Sequence, residues 1–221
     1  MLFDSVSHEL KTPLTMVTGT LSALKDEAIA SNPAARAELV EGALASSERL
    51  SQVVEDFLSI GRMESGRLKL KLELVMAEDL AAAATATVRC SLAGRAFAAI
   101  MPHQGEAYRV DAVLVARLIG NLLENACRYS RKDGAVELRL ATRDRGLSVK
   151  VVDEGPGFSE ERMRAPFVKF RRTEGDMPGG LGLGLAICRG IVQAHGGDLS
   201  ARHAQGRFEI EAYFPDCIGM E

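Results

Sequence analysis

Two stretches decide the fold: Asn121-Leu122-Leu123-Glu124-Asn125-Ala126-Cys127-Arg128-Tyr129 and Asp153-Glu154-Gly155-Pro156-Gly157. The first closes a strong apolar-periodic pattern that predicts a helix over 111–129, with Asp111 placed to cap its start. The second follows directly on a strand. Between them the pattern changes to period 2, predicting strands at 135–143 and 147–153 joined by a turn at Asp144-Arg145-Gly146. Outward from this centre, a helix is expected over 183–194, ended by Gly196-Gly197. Two last strands follow at about 198–204 and 207–214, turned at Gly206. Upstream, residues 77–90 are Ala-rich and read as helical, and 96–101 and 107–110 read as short strands. Leu68, Leu70, Leu72 and Leu74 alternate with Lys69, Lys71 and Glu73, which predicts another strand from residue 67. Helices and strands in blocks with hairpin-length turns give an α+β domain, a two-layer sandwich with a mostly antiparallel sheet and helices on one face.

The front of the chain has a different period. Val6, Leu10, Leu14, Val17, Leu21, Leu24 and Ala28 form one helical stripe over residues 4–30. Pro13 interrupts its backbone bonding, because its missing N–H leaves the carbonyl of Glu9 without a partner. Ser31-Asn32-Pro33 breaks the pattern. A second helix over 34–64 carries Leu39, Ala43, Ser46, Leu50, Val53, Phe57 and Ile60. An antiparallel helical hairpin has too little second surface to cover both stripes, so a dimeric four-helix bundle is expected. The domains expected are 1–66, the dimerising helical hairpin, and 67–221, the α+β domain.

Composition bounds the rest. The chain has 221 residues, 47% apolar and 26% charged, with a formal net charge of −3. That balance is globular and argues against a broad nucleic-acid footprint. No apolar run reaches the ~18 residues of a spanning helix, and no secretory segment opens the chain. Cys90, Cys127, Cys188 and Cys217 form no CxxC pair, which excludes the usual zinc templates and fits reduced thiols in a cytoplasmic setting. Ten of the 21 glycines lie between Gly155 and Gly197 and only four in the first 70 residues, a Gly-poor front and a Gly-dense back that composition alone does not explain.

In Ser7-His8-Glu9-Leu10-Lys11-Thr12-Pro13-Leu14, spacing turns His8 away from the apolar stripe. An exposed histidine is usually only solvated. Here Glu9 can orient the imidazole and draw its proton, leaving a nucleophilic nitrogen, and Thr12 lies one turn along. Asn121 and Asn125 share a helix face and are either surface amides or oxygen ligands for a hard cation such as Mg²⁺. Asp153 at a strand end offers an acceptor to an exocyclic amine, although Gly-Pro-Gly turns are common. Gly179-Gly180-Leu181-Gly182-Leu183-Gly184-Leu185 enters a helix as a phosphate loop would, but the dinucleotide fingerprint GxGxxG is not satisfied. Phe167-Val168-Lys169-Phe170 precedes a polar stretch with the composition of a lid.

Together, in this order, the set resembles the catalytic core of two-component sensor histidine kinases, whose ATP-binding domain is similar to those of gyrase, Hsp90 and MutL. SHELKTPL is similar to the phosphoacceptor box, NLLENACRY to the N box, DEGPGF and GGLGLGL to the two glycine boxes and FVKF to the F box. LGLAICRGIVQAHGG most resembles the potassium-sensing branch.

The resemblance implies that His8 receives the γ-phosphoryl group of ATP, with Glu9 as base or orienter. Thr12 would position a water when the enzyme dephosphorylates its partner. Asn125 would hold Mg²⁺ with Asn121 nearby. Asp153 would bind the adenine amine, with Gly155 and Gly157 admitting the base and Tyr129 lying against it. Arg128 and Lys169 would contact phosphates wrapped by Gly180, Gly182 and Gly184. The stretch near 61–68 would be a hinge. The implied partners are a second copy of the chain and a response-regulator receiver domain, with membrane contact only through segments outside this chain. The chain would then be cytoplasmic, or the cytoplasmic portion of a membrane-bound sensor. Related ATPases carry a water-activating Glu where this chain has Asn121, so transfer fits better than hydrolysis. The alternatives are an ATP-binding scaffold or response-regulator phosphatase without kinase activity, and an ATP-driven clamp.

Overall fold

The computed structural model describes residues 2–26, 29, 31–64, 68–102, 105–159, 163, 167 and 183–218, without the side chains of 2–9, 64 and 90. The described residues form two compact units, 2–62 and 63–218.

The first unit holds α1 (Leu2–Ala23) and α2 (Pro33–Glu64). Helix α1 continues through Pro13, which is buried. It stops at Ala23, well before residue 30. Lys25 N–H bonds the Ser22 carbonyl and Asp26 N–H the Ala23 carbonyl, the i→i+3 pattern that tightens a last turn. Residues 27, 28 and 30 of the expected extension lie outside the described residues. Asn32 caps α2: its Oδ1 accepts from the N–H groups of Ala34 at 3.1 Å and Ala35 at 3.3 Å. Pro33 takes the first helical position, where a missing N–H costs nothing. Val53 and Ile60 are buried, but Leu14, Leu21, Val40, Leu44, Val54 and Leu58 are 43–59% exposed. The hairpin carries more apolar surface than its own two helices cover.

The second unit runs β1 (Glu73–Met76), α3 (Ala77–Thr87), α4 (Arg89–Leu92), β2 (Phe97–Ile100), β3 (Ala107–Val110), α5 (Ala112–Tyr129), β4 (Val136–Arg143), β5 (Gly146–Asp153), α6 (Gly184–Ala194), β6 (Asp198–Ala204) and β7 (Arg207–Phe214). Five strands form one sheet in the order β2-β4-β5-β7-β6, with β2 parallel to β4 and the rest antiparallel. Strands β1 and β3 pair separately. Helix α5 packs between α3 and α6 and covers β4 and β5, while α6 covers β6 and β7. The sheet's helical face carries Leu138, Leu140, Val149, Val151, Ile210 and Ala212 against Leu118, Ile119, Leu122 and Leu123 of α5.

The other face is a charged lattice: Arg143 to Glu211 at 2.9 Å, Arg202 to Glu209 at 2.8 Å, Lys150 to Glu209 at 3.6 Å, and Arg139 to Glu137. The Arg139 guanidinium holds the Glu137 carboxyl below the ordinary carboxylate range. Alternation between these two faces is why the strands were legible from period 2.

The strand expected from residue 67 begins only at Glu73. Lys71 N–H donates to Asp111 Oδ2 at 2.9 Å, so a side chain takes the donor that a strand ladder would use. Leu72 and Leu74 are 46% and 63% exposed, because nothing in this unit covers the apolar side of that alternation. Asp111 caps α5 as expected, accepting from Leu114 N–H at 3.1 Å.

A histidine ties α5 to α6. His195 Nε2 accepts from Asp111 N–H at 3.1 Å, and Nδ1 lies 2.8 Å from the Ile191 carbonyl, so the ring is neutral with its proton on Nδ1. Replacing His195 by Phe keeps the edge contact on Phe214 but strands a buried N–H. It is expected to cost about 1–3 kcal/mol, read as a lower urea midpoint with an unchanged slope.

Candidate functional site

The site grows from one end of the central sheet. Asp153, Phe208 and His203 lie opposite one another across β5, β7 and β6, on the helix-covered side. Asp153 ends β5 and is only 4% exposed. Burial pushes its carboxyl up, while the Gly155 N–H, His203 and Arg95 pull it back. The Gly155 N–H donates to Asp153 Oδ1 at 2.7 Å, folding the chain sharply back after the strand.

The glycines of this turn are required by the protein's own crowding. A Cβ on Gly155 would stand 2.6 Å from Asp153 Oδ1, 3.0 Å from the Tyr129 carbonyl and 3.2 Å from Ser130 Cα. Gly157 has φ +66°, and a Cβ there would collide with the rings of His203 and Phe208. Phe158 is buried, with its ring edge-on to Phe208 at 4.7 Å. The loop is thus clamped between the end of α5 and an aromatic cluster, and Asp153 sits at its base.

Helix α5 supplies the second wall. Asn121 and Asn125 lie one turn apart, both half-buried. Asn121 Nδ2 is buried and makes no hydrogen bond among the described residues. Glu124 is exposed, so it stands off the face these amides share. Arg128 and Tyr129 are half-buried in the last turn.

Helix α6 begins at Gly184 beside Asn121. A Cβ on Gly184 would lie 3.9 Å from Asn121 Cγ, an ordinary contact, so the described protein does not itself demand glycine there. The helix opens without a side-chain cap, and its first N–H groups therefore suit an anionic oxygen.

The structure brings Asp153, Gly155 and the Tyr129 backbone together, and separately Asn121 and Gly184. Lys169, Gly180 and Gly182 lie outside the described residues, as do the side chains of His8 and Glu9. The backbone places His8 and Glu9 in α1, with exposed Thr12 one turn after His8. Phe167 is buried. Among the described residues no group of three His, Cys, Asp or Glu side chains is arranged to hold a metal.

Arg95, Ser130, His203 and Phe208 belong to this corner and were not found in the sequence. For Arg95 no signal existed, since its partners lie 32–36 residues away. For Phe208 the signal was its place opposite the end of the preceding strand.

Comparison with known proteins matches residues 1–66 to the His Kinase A (phospho-acceptor) domain, and residues 110–217 to the histidine kinase-, DNA gyrase B-, and HSP90-like ATPase. The signal transduction histidine-protein kinase BaeS of Escherichia coli K12 is 32% identical over 205 residues, taking in 90% of this chain and 43% of that protein. Sensor protein SphS of Synechococcus elongatus is 36% identical over 216 residues, 90% of this chain and 50% of that protein. The chain spans half or less of the length of these curated relatives. Among solved structures, the Acinetobacter baumannii histidine kinase AdeS shares the fold with a TM-score of 0.72 at 23% identity, over 94% of this chain and 97% of that one. Histidine kinase ThkA in complex with the response regulator TrrA gives 0.62 at 19% identity, over 96% and 60% of the two chains.

Proposed function

The chain belongs to the sensor histidine kinase family, with its phospho-acceptor and ATP-binding domains in one polypeptide, and from that premise we propose that it transfers the γ-phosphoryl group of ATP to His8 and then to an aspartate of a response-regulator receiver domain. The observation that carries this reading is the corner formed by buried Asp153, the Gly155 turn and the end of α5. It offers a buried acceptor suited to an exocyclic amine, on the domain whose helices α5 and α6 also carry the Asn121 and Asn125 amides and a helix start without a side-chain cap.

In the transfer, an imidazole nitrogen of His8 attacks the γ-phosphorus, an N–P bond forms, the bond to the β,γ-bridging oxygen breaks and ADP departs. Glu9 takes the ring proton. Asn125 would supply an amide oxygen to Mg²⁺, with the remaining ligands from phosphate and water. The unpartnered amide nitrogen of Asn121 suits a phosphate oxygen. Arg128, Lys169 and the glycines at 180, 182 and 184 complete the phosphate contacts, and Tyr129 lies against the base. Hydrolysis is disfavoured because exposed Glu124 is the nearest carboxylate along α5 and faces away. Thr12 serves the opposing activity, hydrolysis of the partner's phosphoaspartate to aspartate and inorganic phosphate, by positioning the attacking water.

Residues 1–66 act as the dimerising and accepting domain and 67–221 as the catalytic domain. The exposed Leu14, Leu21, Val40, Leu44, Val54 and Leu58 support a homodimer through the hairpin. Among the described residues no helix is long and apolar enough to cross a membrane, so any anchoring falls to segments outside this chain.

Incubation with γ-labelled ATP and Mg²⁺ tests the reading. The expected result is protein-bound label that is acid-labile and alkali-stable, and that moves to a receiver domain on mixing. ATP binding without label would leave a scaffold or phosphatase in its place.

A further inference from the structure

Arg95 lies in the connection between α4 and β2, outside every motif discussed above. Its guanidinium makes three hydrogen bonds at the end of α5: Nη1 donates to Ser130 Oγ at 2.8 Å and to the Arg131 carbonyl at 2.6 Å, and Nη2 to the Cys127 carbonyl at 2.6 Å. A helix end leaves carbonyls without intrahelical partners, and a cation there is doubly favourable. The neighbouring Ala126 carbonyl is already taken by Ser130 N–H at 2.9 Å, so Arg95 completes the cap. The planar fork suits acceptors that diverge from one helix end, which a lysine cannot match.

The segment so held is the one the Asp153 turn leans on. Behind Asp153 Oδ1 itself, the Tyr129 carbonyl at 3.0 Å and Ser130 Cα at 3.2 Å are the next atoms a Cβ on Gly155 would press on, and Gly155 N–H in turn fixes Asp153 Oδ1. A continuous contact path therefore runs from the guanidinium through Ser130 and Gly155 to the carboxylate. If the end of α5 moved outward, Gly155 would lose its back wall and Asp153 its fixed oxygen.

We propose that Arg95 is a positioning residue for nucleotide binding, holding the wall of Tyr129, Ser130 and Gly155 that sets Asp153 in place. This rests on the reading of the site as an ATP site. The three acceptors of the Arg95 guanidinium all lie at the end of α5, so its loss acts on binding before chemistry.

The test compares Arg95→Ala, Arg95→Lys and wild type in the full chain. A non-hydrolysable ATP analogue is titrated directly, autophosphorylation gives KM and kcat, and thermal melting of the nucleotide-free protein reports folding. The expected result is an analogue Kd and an ATP KM raised about tenfold in Arg95→Ala with kcat within twofold, and Arg95→Lys between the two. If Arg95→Ala melts too low to assay, Arg95→Lys carries the comparison, with a rise in Kd of about threefold expected. Wild type that binds the analogue, beside variants with unchanged Kd, overturns the role of Arg95 alone. So does a fall in kcat at constant KM. Wild type that fails to bind overturns the ATP-site reading and this inference with it.

Discussion

Replacing His8 by Gln is expected to abolish incorporation of label from γ-labelled ATP, to below about one part in a thousand of wild type, while ATP affinity stays within twofold. Glutamine is a good helix former of similar length, so α1 (Leu2–Ala23) has no reason to melt. What disappears is the one imidazole of the SHELKTPL segment. Two of the other three histidines, His195 and His203, lie among the described residues and give a control. His195 has both ring nitrogens engaged, by the Asp111 N–H and the Ile191 carbonyl. His203 stacks against Phe208 at 5.1 Å in the second unit. Label that persists in His8→Gln with the acid-labile, alkali-stable signature would assign the acceptor elsewhere and overturn the role given to His8. The nucleotide site belongs to the other unit, so binding should not register the change. A parallel loss of affinity would contradict the division of labour between the two domains.

What the sequence made legible follows from where side chains alone settle a structure. Strands β6 and β7 appear at the expected bounds because their alternation is strict and the residues between them accept a left-handed turn: Gln205 has φ +52° and Gly206 φ +76°. The cap at Asp111 is a local matter of one side chain and the next turn, and was legible for the same reason. Lys71 was not, because its N–H is claimed by Asp111 from forty residues away. The same holds for Arg95, whose role exists only once α5 has been laid beside the loop after α4. The candidate site residues were proposed from motif order, and the structure changes the physical reason for two of them. Gly155 and Gly157 were read as openings for a ligand. The structure shows them pressed against Ser130, His203 and Phe208, so they allow the loop to close on its own protein, and the ligand meets what that closure exposes. Such crowding is made by side chains from three distant segments, and local pattern carries no trace of it.

Asp153→Asn is expected to stabilise the nucleotide-free protein while weakening ATP binding on the order of 100-fold, and the two effects share one cause. The carboxylate is 4% exposed, and burial holds its pKa above the ordinary aspartate value despite help from the Gly155 N–H, His203 and Arg95. A group raised in this way contributes stability fully only below its unfolded value, near 4, and loses it as pH rises through the folded value. At neutral pH the folded protein therefore carries the cost of a buried charge. Asparagine keeps an oxygen for the Gly155 N–H and removes that cost. The melting temperature of Asp153→Asn should exceed wild type by a few degrees at pH 7, with the gap shrinking as pH falls toward 3. For the nucleotide the exchange runs the other way. An ionised acceptor facing an exocyclic amine is worth more than a neutral one, and an amide nitrogen presented there meets donor with donor. Inosine triphosphate, with oxygen in place of that amine, separates this from a general loss of affinity. Wild type should discriminate strongly for ATP, and Asp153→Asn should lose most of that discrimination because its amide can donate to the inosine oxygen. Equal affinity of both proteins for ATP, or a preference unchanged by the substitution, would remove Asp153 from the base-reading role and place the adenine against another part of the site.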